Sequence, residues 1–319
     1  MFEVSGKTIA FKTAVITDEI DQDFIIACDL ASQFSIDAVE IRSVYERDPF
    51  EFTSDDISYM KKILEKKGLK VCAISSPFFK CEMDDTEEIK RHLQGLRHCI
   101  KLADKLGTEL IRGFTFWAKS ESPAQDNKSS VQCGKRLSPG NFDPRAIADR
   151  FEEAVKILDE SGKTLVLESD PSVNATNAQM VVQVIEAVGS SRVLGLWDPG
   201  NDIWDPREEI PFPDGYNFIK KYMRHVHLKD VSRKSGKREA VPIGQGDVDW
   251  ENQFHAFIAD GYSGYISLET HYRRAKKLSE KQLNMPKGTV FSFGGFEATR
   301  ESLELWRNML CGFHSKYKK

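Results

Sequence analysis

Four short apolar runs, each closed by a side chain of the kind that binds metal ions, recur along the second half of the chain. "KTLVLES" (163–169) carries Glu168 near its end, "RVLGLWDPGN" (192–201) carries Asp198, "MRHVHLKD" (223–230) carries His227, and "GYISLET" (264–270) carries Glu269. The intervals are 30, 29 and 42 residues, close to the ~30 residues that one strand-helix-strand unit consumes. Such a rhythm calls for parallel strands joined by crossover helices, with the equivalent ends of successive strands on one face.

The first half keeps the same grammar. Strands are expected at "FKTAVIT" (11–17), "DAVEIRS" (37–43), "LKVCAISS" (69–76) and "TELIRGF" (108–114). Between them lie helical patterns with caps: Ser54 opens one and Gly68 ends it, Asp85 with Glu88 opens the next and Gly107 closes it. From Arg112 to Glu168 the spacing stretches to 56 residues, roughly twice one unit. A Ser-, Gly- and Pro-punctuated loop near 117–143 accounts for the excess and is read as a lid or a surface excursion. Asp143 and Pro144 then start a helix that Gly162 ends. Later helices are expected near 174–188, 216–222 and 249–259, the last capped by Asp249. Residues 271–319 form an extended loop and a final helix with Leu303, Trp306, Leu310 and Phe313 at helical spacing. Eight strands alternating with helices make a single-domain (β/α)8 barrel spanning residues 1–319.

Composition narrows the partners. Hydrophobic residues make up 40% of the chain, ample for a sizeable core, and a net charge of −4 gives no electrostatic reason to expect nucleic acid. Six scattered cysteines (Cys28, Cys72, Cys81, Cys99, Cys133, Cys311) form no CxxC pair, which argues against a zinc ribbon or a redox site. No basic start with a long apolar run opens the chain, and no segment approaches 18 uninterrupted apolar residues. The expectation is a cytoplasmic protein acting on a small molecule, with no membrane partner and with homo-oligomerisation left open.

Barrel strands alternate with a period of two. His225, His227 and Lys229 therefore share one face, as do Glu40 with Arg42, Val166 with Glu168, and Ser267 with Glu269, while Ile41, Leu167, Val226, Leu228 and Leu268 face the helices. Ionisable groups thus converge inside the mouth, where barrel active sites lie. Burying such carboxylates together costs several kcal/mol each, roughly, unless a cation or proton joins them. One divalent ion among Glu168, Asp198, His227 and Glu269 meets that need, and three carboxylates with an imidazole suit Mn2+, Mg2+, Co2+ or Zn2+.

The ordered motifs "ITDEI", "AVEIR", "LES", "WDPGN", "HVHLKD", "IGQGDVDW" and "ISLET" resemble those of the xylose isomerase-like barrels, specifically the sugar phosphate isomerase/epimerase group, over most of residues 11–270. The resemblance implies that Glu168, Asp198, His227 and Glu269 bind one divalent metal. It also implies isomerisation or epimerisation of a sugar or sugar phosphate through a metal-bound enediolate, with Glu168 and Glu269 as the acid/base pair on opposite sides of the substrate. Two departures stand out. Where many ketose epimerases have a substrate-binding histidine three residues after the metal Asp, this chain has Asn201; and the extra zinc ligands of the endonuclease branch are missing, the third strand ending in Ser75 and Ser76.

Among the remaining residues, Lys229, Arg42 and Arg112 are candidates to hold a substrate anion or a developing oxyanion, or to pair with Glu40 or Asp230. Asn201, Glu40 and Trp117 complete the expected substrate contacts, and Phe116 and Trp204 are candidate walls or loop packing. His225 is expected one layer deeper than His227, as a satisfied core histidine, and His271 and Tyr272 stand at the rim. Two other readings fit the same residues: a metal-dependent lyase or dehydratase acting on a sugar acid, and a barrel that binds a polyol or sugar without turning it over.

Overall fold

In a computed structural model, described over residues 11–118, 142–205, 207, 209–275 and 277–316 with short strands at 3–4 and 7–8, eight parallel strands close into a barrel. They are β1 (Lys12–Ile16), β2 (Ala38–Ile41), β3 (Lys70–Phe78), β4 (Leu110–Gly113), β5 (Thr164–Glu168), β6 (Val193–Trp197), β7 (Met223–Leu228) and β8 (Tyr265–Leu268). Each pairs with the next in sequence, and β8 closes on β1 with Ser267 opposite Ala14. This is the single (β/α)8 barrel that the spacing predicts.

The alternation divides the apolar residues as expected. Ile41, Leu167, Val226, Leu228 and Leu268 join the large core between sheet and helices, while Ala14, Ala38, Cys72 and Ala73 form a small plug inside the barrel floor. Small side chains below leave the interior's upper layers to polar groups. Closure of the ring also sets β1 beside both β2 and β8, which carries the "TDE" residues after β1 to the rim near Glu269.

The connecting helices are α1 (Phe24–Gln33), α2 (Ser54–Lys67), α3 (Thr86–Leu106), the broken pair α4 (Pro144–Asp149) and α5 (Glu152–Ser161), α6 (Ala178–Val188), α7 (Pro199–Trp204), α8 (Tyr216–Ile219) and α9 (Trp250–Ala259). Asp85, Asp143 and Asp249 cap as expected, and Gly68, Gly107 and Gly162 end their helices in the left-handed conformation. The cap of α2 is Thr53 rather than Ser54, because only Thr53 lies three residues before Asp56 and completes a reciprocal capping box with it.

The stretch after β8 is more structured than an open loop. It contains α10 (Glu280–Asn284), opened by a Ser279–Gln282 capping box, and α11 (Gly288–Ser292), ahead of the closing helix α12 (Gly295–Lys316). Helices of one turn are too short to show an apolar stripe, so periodicity misses them. Most of the expected 117–143 insertion lies outside the described residues; at its edges Trp117 forms a bridge with Val173 and Asp143 caps α4. Cys133 also lies outside them, and the other five cysteines are free. Among the described residues no helix is long and apolar enough to cross a membrane.

Candidate metal centre

Four strand ends deliver the expected residues to one place. Glu168 is the last residue of β5, Asp198 follows β6, His227 lies one residue before the end of β7, and Glu269 follows β8. One donor atom from each lies within 4.8 Å of all the others. Two donors on opposite sides of an ion with ~2.1 Å bonds are about 4.2 Å apart, so this spacing admits one divalent ion.

The backbone after β6 shows how the sequence holds one of these groups. Asp198 is the N-cap of α7, its Oδ1 accepting from the Asn201 N–H at 3.1 Å, and Pro199 supplies the first helical residue. That leaves Oδ2 facing the centre, 3.8 Å from His227 Nδ1. Gly200 is required by space: a Cβ there would meet Lys229 Cγ at 3.0 Å and Asp198 Oδ1 at 3.1 Å. The Asn201 amide donates to the Ser169 carbonyl at 2.7 Å and reaches Glu168 Oε1 at 3.3 Å. It lies beside the cluster and offers a neutral contact.

The two glutamates are built alike. Arg112 Nη1 donates to Glu168 Oε2 at 3.0 Å, and Arg42 Nη1 donates to Glu269 Oε1 at 2.6 Å. The other oxygens, Glu168 Oε1 and Glu269 Oε2, lie 3.0 and 3.4 Å from His227 Nδ1. Each guanidinium is backed by a phenyl ring, Arg112 by Phe114 and Arg42 by Phe291, both at 4.8 Å. Burial alone would raise the Glu168 carboxyl, but Arg112 and His227 outweigh it and hold it at about 2. Glu269 is likewise held well below the usual range, burial being outweighed by Lys229, His271 and His227. For Asp198 burial prevails over Lys229 and raises the carboxyl.

Alternation along the strands points Lys229 and the two arginines toward substrate; the structure gives their donors protein partners. Lys229 Nζ sits 2.6 Å from Asp198 Oδ2 and 2.7 Å from Glu269 Oε2. Arg112 also reaches the Ser75 and Ser76 carbonyls, and Arg42 reaches Asp18 and Glu19. Glu40, expected as a substrate contact, is fully buried below the rim, with its two oxygens taken by His225 Nε2 at 2.8 Å and His227 Nε2 at 3.1 Å. His225 is the deep, fully buried histidine that alternation predicts. Trp117 stays at the rim with Lys80 Nζ 5.6 Å from its ring. Phe116 is no wall of the mouth: it is buried against Phe79 and Phe151. Trp204 packs, partly buried, against the main core.

Several charged neighbours are not legible in the sequence. Asp18 and Glu19, which strand-end spacing does not single out, sit against Arg42, and Glu19 also binds Arg273 and His271. "ITDEI" holds the signal, but only barrel closure brings it beside Glu269. Around His227 the contact network holds six buried carboxylates (Asp18, Glu19, Glu40, Glu168, Asp198, Glu269) and four buried cations (Arg42, Arg112, Lys229, Arg273). Among the described residues, once an ion displaces the proton that these carboxylates hold on His227, the ionised groups leave two negative charges, which one divalent ion cancels. Donor type, spacing and charge therefore fit such an ion.

Comparison with known proteins agrees with this architecture. A family model described as a xylose isomerase-like TIM barrel matches residues 28–309. An inosose dehydratase from Clostridium perfringens is 21% identical over 67% of this chain and 73% of its own length. Among solved structures, a D-allulose 3-epimerase from Methylomonas sp. in complex with D-allulose is similar at a TM-score of 0.67, with 15% identity, covering 97% of this chain and 98% of that one. A probable 3-DHS dehydratase from Bacillus anthracis is similar at 0.65, with 13% identity, covering 93% and 99%.

Proposed function

Because the chain belongs to the xylose isomerase-like TIM barrel family, we propose that it is a divalent-metal-dependent isomerase or epimerase of a sugar or sugar phosphate, with Glu168 and Glu269 as its acid/base pair. The observation that carries this reading is the matched pair of buried glutamates, each with one oxygen fixed by an arginine and the other turned to a shared cluster of metal-type donors. Glu168, Asp198, His227 and Glu269 would hold the ion. When bound, it supplies Lewis acidity to a substrate carbonyl and its neighbouring hydroxyl, which acidifies the adjoining C–H.

The chain's own residues then divide the work. A carboxylate takes a proton from carbon only once that C–H is acidified. One glutamate takes that proton and leaves an enediolate. Delivery by the other glutamate to the opposite face of the same carbon epimerises, and delivery to the neighbouring carbon, with a hydroxyl proton passing between the two oxygens, isomerises. Arg42 and Arg112 each tie one carboxylate oxygen and so hold the two glutamates in place. The Lys229 ammonium, beside Asp198 and Glu269, is placed to offset negative charge on a substrate oxygen. Asn201 offers an amide to a hydroxyl but no charge.

The experiment is a screen of keto sugars and their phosphates with metal-loaded protein in deuterated water. Deuterium is expected at the carbon next to the carbonyl of one substrate, with an epimer or isomer appearing. No exchange with any of them would count against this function.

A second reading, dehydration through the same enediolate, draws on the inosose dehydratases among the relatives. There the abstracted proton is followed by loss of a β-hydroxyl. Mass analysis of the product separates the two, since only dehydration removes water.

A further inference from the structure

Glu40 lies directly under His227 and takes no part in the proton transfers proposed above. Among the described residues it is the one carboxylate shared by both inward imidazoles of β7: Oε1 meets His227 Nε2 at 3.1 Å and Oε2 meets His225 Nε2 at 2.8 Å. All three side chains are completely buried. A carboxylate is an acceptor only, so each of these nitrogens carries the hydrogen that it donates. His225 Nδ1 has no hydrogen-bond partner, which agrees with its proton residing on Nε2.

The same constraint decides more for His227, because its other nitrogen faces the cluster. Nδ1 lies 3.0 Å from Glu168 Oε1, 3.4 Å from Glu269 Oε2 and 3.8 Å from Asp198 Oδ2. An imidazole coordinates only through a nitrogen without hydrogen. Building on the metal-centre reading, we propose that Glu40 is a positioning residue: it fixes His227 through Nε2–H and so turns Nδ1, the nitrogen that faces the cluster, to the ion, with His225 holding Glu40 from the far side. Glu40 also supplies one of the two surplus negative charges around the centre, so it favours a divalent cation electrostatically as well as geometrically. A carboxylate behind a ligating histidine commonly changes metal affinity by roughly 10- to 100-fold. The pairing of β2 with β3 shifts register between Val39 and Glu40.

The test compares Zn2+ affinity, by chelator competition, and the nitrogen through which His227 binds the ion, by two-bond proton–nitrogen NMR of the Zn2+-loaded protein, in wild type and Glu40→Gln. The amide introduced by this substitution carries no charge and offers one oxygen where two imidazole N–H groups need an acceptor. The expected result is about 10- to 100-fold weaker Zn2+ binding, with the single Nδ1 coordination of His227 in wild type lost or mixed with Nε2 coordination in the variant. A purely structural role would lower the unfolding temperature yet leave both readouts unchanged, and that result overturns the proposal. Should Glu40→Gln fail to fold, Glu40→Asp, which keeps the charge but withdraws it from both rings, is expected to weaken Zn2+ binding several-fold; unchanged binding there overturns it equally. If wild type itself takes up no Zn2+, the metal reading fails and this proposal with it, whereas Zn2+ uptake that Glu40→Gln leaves unchanged overturns the proposal alone.

Discussion

Glu168 and Glu269 approach His227 Nδ1 in the same manner from different strands, each giving one carboxylate oxygen to a buried arginine and the other to the imidazole side. The correspondence bears on function because two opposed proton carriers need equal access to one substrate. It also bears on stability, because each pair is nearly sealed from water.

Replacing either glutamate by glutamine keeps the size and the arginine contact but removes the proton carrier. Glu168→Gln and Glu269→Gln should each slow solvent deuterium exchange into the responsive sugar by roughly 100- to 10,000-fold. Circular dichroism should be unchanged. Near-normal exchange in a folded variant would remove that residue from the acid/base pair.

Removing a cation from a sealed pair leaves a buried charge unpaired. Arg112→Met should therefore cost about 3–5 kcal/mol in urea unfolding, and Arg42→Met more, since Arg42 serves Asp18, Glu19 and Glu269 together. The double variant Arg112→Met, Glu168→Leu should recover most of the Arg112→Met loss. A single-variant cost below about 1 kcal/mol, the level of an exposed pair, would contradict this.

His92 gives a pH signature away from the centre. Burial, with a smaller push from Arg91, lowers it from 6.5 to about 4, and its Nδ1 accepts the Phe79 N–H at 2.9 Å. A depressed histidine binds fewer protons folded than unfolded, so its contribution is complete above pH 6.5 and is lost as pH falls toward 4. The full loss is about 3 kcal/mol. His227 does not obscure it, because a raised histidine pKa makes a constant contribution below 6.5. Asp230, raised to about 6 by burial, acts in the opposite direction, so the difference between wild type and His92→Gln is the quantity to measure. That difference should change with pH between 6.5 and 4; a flat difference would refute the assignment.

What the sequence makes legible follows from range. Strand ends, inward faces and most caps depend on residues within a few positions of one another, and Glu168, Asp198, His227 and Glu269 share one rhythm. Asp18 and Glu19 are opaque because their partners, Arg42, Arg273 and His271, are distant in sequence and meet them only through the closed barrel. Glu40 is legible as inward-facing but not in depth, since the pairing of β2 with β3 shifts register beside it. The rim helices α10 and α11 are too short for periodicity to report.

Gly200 tests the packing around Asp198. Gly200→Ala would press a methyl group against Lys229 and Asp198, at a cost of about 1–3 kcal/mol. Because one of the displaced groups is a candidate ligand, divalent-ion affinity should fall alongside thermal stability. Unchanged affinity and stability would mean that the helix start yields without disturbing the cluster.

The most direct test of the central claim is calorimetric titration of metal-free protein with Mn2+, alongside Asp198→Asn, a substitution that preserves the helix cap. One ion per chain is expected in wild type, with markedly weaker uptake in the variant. No uptake by wild type, or equal uptake by both, would contradict a shared metal centre at these four strand ends.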